Sequence, residues 1–161
     1  MILVINASPL IVLSKAGLMD AILELLSDLV IPEPVAHEVA QAKDPTDPAK
    51  IWMGNQAHLL KPPPPTTPFL TAWDLGAGET AVIAIAQSRS GSIAVLDDLA
   101  ARRCAQALGL QVIGTLGIIL AAKRRKILPA VKPALDAVVA AGMFISDAHI
   151  HDVLVMAGEA N

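Results

Sequence analysis

Ile2-Leu-Val-Ile-Asn-Ala-Ser-Pro9 and Ser92-Ile-Ala-Val-Leu-Asp-Asp98 decide the fold. Each opens as a short, almost wholly apolar run, the pattern of a strand buried on both faces of a parallel sheet. Each then breaks abruptly into polar residues. In an open α/β sheet the carboxyl ends of the strands share one edge, and ligands bind in the crevice there. The polar residues that end these runs, Asn6 with Ser8 and Asp97 with Asp98, therefore belong to a candidate site.

Working outward, strands and helices alternate. Ser8-Pro9 is a helix start, with Ser as cap and Pro in the first turn. A helical pattern runs to Lys15, breaks at Gly17 and resumes from Leu18 to about Ser27. A second strand, Leu29–Ile31, precedes a helix from Val35 to Ala42, and a further helix is expected from Ile51 to His58. Lys61-Pro-Pro-Pro-Pro-Thr-Thr-Pro68 reads as a stiff surface loop, since proline suits neither helix interior nor central strand. Gly76-Ala-Gly78 leads into a helix from Glu79 to Ser88 whose residues Ala81–Ala86 are all apolar. Helix Leu99–Leu108, strand Gln111–Ile113 and helix Thr115–Lys126 follow. Two more helices, about Ala130–Ala141 and Asp147–Ala157, complete the pattern. This alternation predicts an α/β fold, a parallel sheet between helices.

Composition agrees with one domain of 161 residues, 54% apolar but only 2% aromatic, hence with an aliphatic core. The formal net charge of −3 argues against a chain coated in positive charge. It leaves room for a local basic patch that meets nucleic acid. The single cysteine, Cys104, excludes an intrachain disulfide and a cysteine zinc cluster. His149 and His151 read as a solvated helix face, and Trp52 and Trp73 as core residues. Although Cys104–Ala122 carries no charge, its glycines and Gln111 suit a strand between two buried helices better than a bilayer span. The expectation is a soluble, cytoplasmic protein. There is no Gly-x-Gly-x-x-Gly after the first strand, which ranks a dinucleotide site low.

Glu38 and Glu79 each stand in a mostly apolar helix and, with the strand-end residues, make a set of oxygen donors. Gathered acids repel one another, and a hard cation such as Mg²⁺ relieves that repulsion. Each also has a simpler use. Asp97 or Asp98 can cap the helix that follows, and Glu79 in a first turn suits the helix dipole. Glu38 alone reads as solvated. The basic run Lys123-Arg-Arg-Lys126 suits either a helix C-terminus or phosphate contacts, and Arg102 stands one turn beyond Asp98.

Five stretches together carry a resemblance: Val4–Ile11, Val30–Val39, Leu75–Ala81, Val95–Arg102 and Ile113–Ile118. In order and spacing they resemble the PIN-domain family, most of all its subgroup of predicted nucleic-acid-binding proteins related to VapC-type toxins. The resemblance spans nearly the whole chain. It implies a three-layer α/β/α sandwich with a mostly parallel sheet, one PIN-like domain over residues 1–161. The Pro-rich loop 61–68 and a helical C-terminal extension from about 129 to 161 belong to that domain. It implies an Mg²⁺- or Mn²⁺-dependent endoribonuclease acting on single-stranded RNA, with metal ligands Asn6, Glu38, Glu79 and Asp97 or Asp98. Catalysis falls to Glu38, Glu79, Asp97 and Asp98, supported by Ser8. Arg102, Lys123, Arg124, Arg125 and Lys126 would contact the strand. A cognate antitoxin and a homodimer are the implied partners. Two positions depart from the family pattern: Asn6 stands where an acid is usual, and Leu96 where a hydroxyl residue is usual. An Asn carbonyl ligates Mg²⁺ but is neutral and is no base. The alternative is therefore a PIN fold that binds RNA or a protein without cutting.

Overall fold

A computed structural model describes residues 1–160; Asn161, the last residue of the expected domain, lies outside it. Five strands form one sheet: β1 (Ile2–Ile5), β2 (Asp28–Pro32), β3 (Leu60–Lys61), β4 (Ser92–Val95) and β5 (Gln111–Ile113). Their order is β3-β2-β1-β4-β5 and every pairing is parallel. Helices flank this sheet to make the α/β/α sandwich.

The topology locates the crevice. From β1 the chain steps outward to β2 and β3, then crosses back to β4 and steps the other way to β5. Right-handed crossovers put the connections of the two halves on opposite faces. The connections therefore diverge between β1 and β4, and the carboxyl ends of these two strands mark the cleft where ligands bind in sheets of this kind. The register pairs Ile5 with Val95, and one step on, the Asn6 N–H donates to the Val95 carbonyl at 3.2 Å. Asn6 and Leu96-Asp97 thus stand side by side at the cleft.

The helices are α1 (Ala7–Lys15), α2 (Met19–Leu23), α3 (Glu33–Ala40), α4 (Pro48–Gly54), α5 (Pro68–Ala72), α6 (Ala77–Ser88), α7 (Leu99–Ala107), α8 (Thr115–Arg124), α9 (Lys132–Ala140) and α10 (Asp147–Ala157). Residues 81–86 of α6 are all buried, as an all-apolar stretch requires. This helix lies against β1, β2 and β4. One aliphatic cluster runs from Leu3 through Val82, Ile118 and Leu135 to Val153, so α9 and α10 share the core of the sheet. Glu159 fastens the chain end: its carboxylate accepts from Val131 N at 2.7 Å and Lys132 N at 3.0 Å and pairs with Lys123 at 3.3 Å. These N–H groups belong to the start of α9 and lack a helical partner.

Some local expectations give way. The first helix begins at Ala7 with Asn6 in the cap position, so Ser8 is an exposed first-turn residue and caps nothing. The second helix stops at Leu23, and Ser27 instead accepts the N-terminal ammonium at 3.0 Å. The third starts at Glu33 and ends at Ala40 rather than Ala42. The fourth spans Pro48–Gly54 rather than Ile51–His58 because Asp47 caps it, accepting from Ala49 N and Lys50 N. His58 falls in a separate 3₁₀ turn, Ala57–Leu59. Lys61, expected in the proline loop, ends an edge strand of two residues. The prolines that follow have no N–H to extend the ladder. Thr67-Pro68 starts a short helix that the sequence reading passed over, with the Thr67 hydroxyl accepting from Leu70 N at 3.3 Å. Trp52 and Trp73, expected in the core, are only half-buried. His149 and His151 are exposed, as expected of a solvated face.

Candidate metal and nucleic-acid site

Two nodes of polar side chains flank the β1/β4 cleft. The first surrounds Gly78 in the first turn of α6. Asn6 ends β1 and is only 6% exposed. Its Oδ1 atom is fully buried and has no hydrogen-bond partner. Glu38, in the last turn of α3, is exposed and brings its carboxylate to the same spot. A Cβ built on Gly78 would stand 2.9 Å from Asn6 Oδ1 and 3.2 Å from Glu38 Oε2. Only glycine leaves that space open. Two oxygen acceptors thus face one gap with no donor between them. A buried acceptor without a partner carries a desolvation cost of about 1–3 kcal/mol, which a bound ion or water would relieve. A hard divalent cation suits this donor pair, since Mg²⁺ is often held by one or two carboxylates while keeping several waters.

The second node surrounds Gly114, between β5 and α8. Asp97 Oδ1 accepts from Thr115 N at 2.8 Å, and Asp97 Oδ2 accepts from the Thr115 hydroxyl at 2.6 Å. Thr115 is completely buried. Arg102 donates from its guanidinium to the Leu96 carbonyl at 3.0 Å, tying α7 to the end of β4. A Cβ on Gly114 would come within 2.8 Å of Asp97 Oδ1 and 2.9 Å of the Arg102 guanidinium. Beside this node opens a cavity of about 580 Å³, walled by Leu116, Leu120, Met143, Val153 and Met156, with Asp97 and Arg102 at its edge.

The remaining acids are engaged locally. Asp98 is the N-cap of α7 and accepts from Ala101 N at 2.9 Å. Of the two neighbouring aspartates, Asp98 caps its own helix while Asp97 reaches across to α8. Glu79 sits in the first turn of α6 and accepts from Gly76 N at 2.9 Å. Glu38 is the one carboxylate of the four for which no helix-end hydrogen bond is formed among the described residues. No three of His, Cys, Asp and Glu come together closely enough to hold a metal ion among the described residues. The amide oxygen of Asn6 and the carboxylate of Glu38 are thus the core of the donor set, with fewer charges than four gathered acids would bring.

The basic run lies elsewhere. α8 starts beside Asp97 and spans ten residues, roughly 15 Å at 1.5 Å per residue. Lys123, Arg124, Arg125 and Lys126 therefore stand at the far end of that helix. Lys123 is drawn into the Glu159 contact and donates to the Pro129 carbonyl at 2.5 Å. Arg124, Arg125 and Lys126 are exposed. Arg102 is the cationic residue that the fold puts beside the cleft residues. Burial pushes the Cys104 thiol up from its ordinary pKa, which suits a core residue rather than a nucleophile.

Thr115 escaped the sequence reading as a site residue. The available signal was a Gly-Thr pair between a strand and a helix, where a hydroxyl can meet the orphan N–H groups or a neighbouring acid.

Comparison with known proteins gives one family: a family model described as a PIN domain matches residues 2–159. Neither the curated proteins nor the solved structures contain a significant match.

Proposed function

Because this chain belongs to the PIN-domain family, we propose that it is an attenuated, Mg²⁺- or Mn²⁺-dependent ribonuclease of the VapC-toxin type, acting on single-stranded RNA. PIN domains have a nuclease-type fold and generally use divalent metal ions. The observation that carries the proposal is the gap at Gly78, where the orphaned Asn6 oxygen and the Glu38 carboxylate converge at the β1/β4 cleft.

On this reading Asn6 and Glu38 hold the cation directly, with Asp97 on the opposite side of the cleft and Glu79 in the first turn of α6. The cation supplies Lewis-acid activation of water and neutralises charge at the scissile phosphate. Arg102 adds a fixed positive charge beside the strand end. Ser8, exposed in the first turn of α1, orients a ligand or water. Asp98 supports the site through the helix it caps. The exposed Arg124, Arg125 and Lys126, with Lys123, follow the RNA backbone away from the cleft. Residues 1–161 act as one PIN-like domain in the cytoplasm, as a homodimer with a cognate antitoxin. Among the described residues no helix is long and apolar enough to cross a membrane.

Attenuation follows from charge. An amide oxygen coordinates a cation but brings no negative charge to it. The same feature favours the second reading, a PIN fold that binds RNA or a protein partner without cutting. In that case the amide can turn so that its N–H₂ group donates to Glu38 and takes the place a cation would fill, because amide orientation is assigned from the surrounding network.

The test is cleavage of single-stranded RNA by purified protein with Mn²⁺ or Mg²⁺, against Glu38→Gln. Metal-dependent cleavage lost in the variant supports the nuclease. RNA binding with no cleavage at any metal concentration replaces it with the binding module.

A further inference from the structure

We propose that Thr115 is a positioning residue: it holds the Asp97 carboxylate in one orientation across the cleft from the Asn6–Glu38 pair that holds the cation. The inference rests on the reading of the cleft as a divalent-cation site and names a residue which that reading leaves without a role.

A carboxylate on a two-bond side chain turns freely unless both oxygens are held. Here one residue holds both. Thr115 gives its backbone N–H to Oδ1 at 2.8 Å and its hydroxyl to Oδ2 at 2.6 Å. The second distance lies in the range of charge-assisted O–H···O⁻ bonds. An ionised carboxylate has about four lone-pair sites, so these two bonds leave the others for a cation or a water bound to it. Carboxylates around a metal site, whether on the ion or on its waters, are generally held this way by an outer partner.

Capping of α8 does not by itself account for the arrangement. The cap position of α8 is Gly114, which has no side chain to offer. A serine or aspartate there would cap the helix locally, but a Cβ would strike Asp97 Oδ1 and the Arg102 guanidinium. Room is kept for a carboxylate that arrives from β4. Asp97 is also not needed by α7, because Asp98 caps that helix. The second bond, from the hydroxyl, satisfies no helix N–H; its effect is to stop the carboxylate turning. Since Thr115 is fully buried, its hydroxyl has no competing water.

The test uses the full chain and reads Mn²⁺ binding by calorimetry, with thermal unfolding of the metal-free protein alongside. Thr115→Val keeps the backbone bond and the shape but removes the hydroxyl; Thr115→Ser keeps both bonds. The expected result is Mn²⁺ affinity about 10–100-fold weaker for Thr115→Val, the usual cost of losing an outer partner. Affinity for Thr115→Ser, which keeps both bonds to Asp97, should stay close to that of the wild type. Thr115→Ala carries the same expectation as Thr115→Val if the valine variant does not fold. Equal Mn²⁺ affinity in wild type and Thr115→Val, whatever the change in unfolding temperature, overturns the assignment and leaves Thr115 a helix-end contact. No Mn²⁺ uptake by the wild type overturns the cation reading itself, and this inference with it.

Discussion

Gly78→Ala is the sharpest perturbation of the Gly78 gap, because it adds one methyl group where the two oxygens meet. The new Cβ would stand 2.9 Å from Asn6 Oδ1, 3.2 Å from Glu38 Oε2 and 3.4 Å from Val35 Cγ2. Glu38 is exposed and swings away at little cost, but Asn6 is buried and held by its backbone to β4. Two effects on stability oppose each other. Alanine in a helix is favoured over glycine by about 1 kcal/mol, and forcing a methyl group against close-set neighbours costs about 1–3 kcal/mol. The net loss is about 0–2 kcal/mol, which lowers the unfolding temperature by at most roughly 6 °C for a domain of this size. The effect on cation binding is larger, because either Asn6 or Glu38 must leave the gap. Mn²⁺ affinity should fall at least tenfold, the lower end of what disturbing a metal ligand's surroundings costs. Calorimetric Mn²⁺ titration and thermal unfolding of the same two samples separate the effects. If Gly78→Ala binds Mn²⁺ as tightly as the wild type, the gap at Gly78 is not the cation site.

Three further outcomes follow from the same geometry. Asn6→Asp puts a full charge where a neutral oxygen stands. Two unit charges about 4 Å apart are worth about 1–4 kcal/mol between water and a surface-like dielectric, and a divalent cation roughly doubles that, so Mn²⁺ binding should tighten at least about tenfold and RNA cleavage should rise; an unchanged cleavage rate favours the binding module. Glu159 is held below the usual carboxylate range first by the Lys132 N–H and then by the Val131 N–H. A depressed pKa stabilises the fold above the unfolded value and loses that contribution as pH falls through the folded one. Glu159→Gln should therefore unfold at a lower temperature than wild type at pH 7, with the gap closing on acid titration; a gap that persists in acid refutes the clasp. Neutralising Arg124 and Arg125 together should weaken RNA binding across sequences and reduce the salt slope by roughly one unit per lost phosphate contact. An unchanged slope places the RNA path elsewhere.

The sheet was legible because its strands are continuous apolar runs with sharp polar ends, and β1, β4 and β5 fall close to where that pattern puts them. The edge strand Leu60–Lys61 was not, since two residues carry no periodicity and only pairing with Ile31 and Pro32 makes them a strand. At the site, Asn6, Glu38, Glu79 and the aspartate pair were visible as polar interruptions of apolar segments. What each one touches was not. The split between Asp98 as cap and Asp97 as the acid that crosses to α8 depends on the direction of one side chain. The same local sequence serves either choice. Gly78 read only as part of a glycine-rich helix entry, because close approach by Asn6 and Glu38 is a fact of three elements meeting. Lys123–Lys126 is conspicuous in sequence, yet helix length alone carries it away from the cleft. Thr115 is inconspicuous and lands beside Asp97.

The most direct measurement is anomalous diffraction from crystals of this protein soaked in Mn²⁺. The account predicts a peak in the gap at Gly78, with Glu38 and the amide oxygen of Asn6 at about 2.0–2.3 Å, the range for hard divalent cations on oxygen. A gap closed by an Asn6 N–H₂ group donating to Glu38, with no peak there at saturating Mn²⁺, would contradict it.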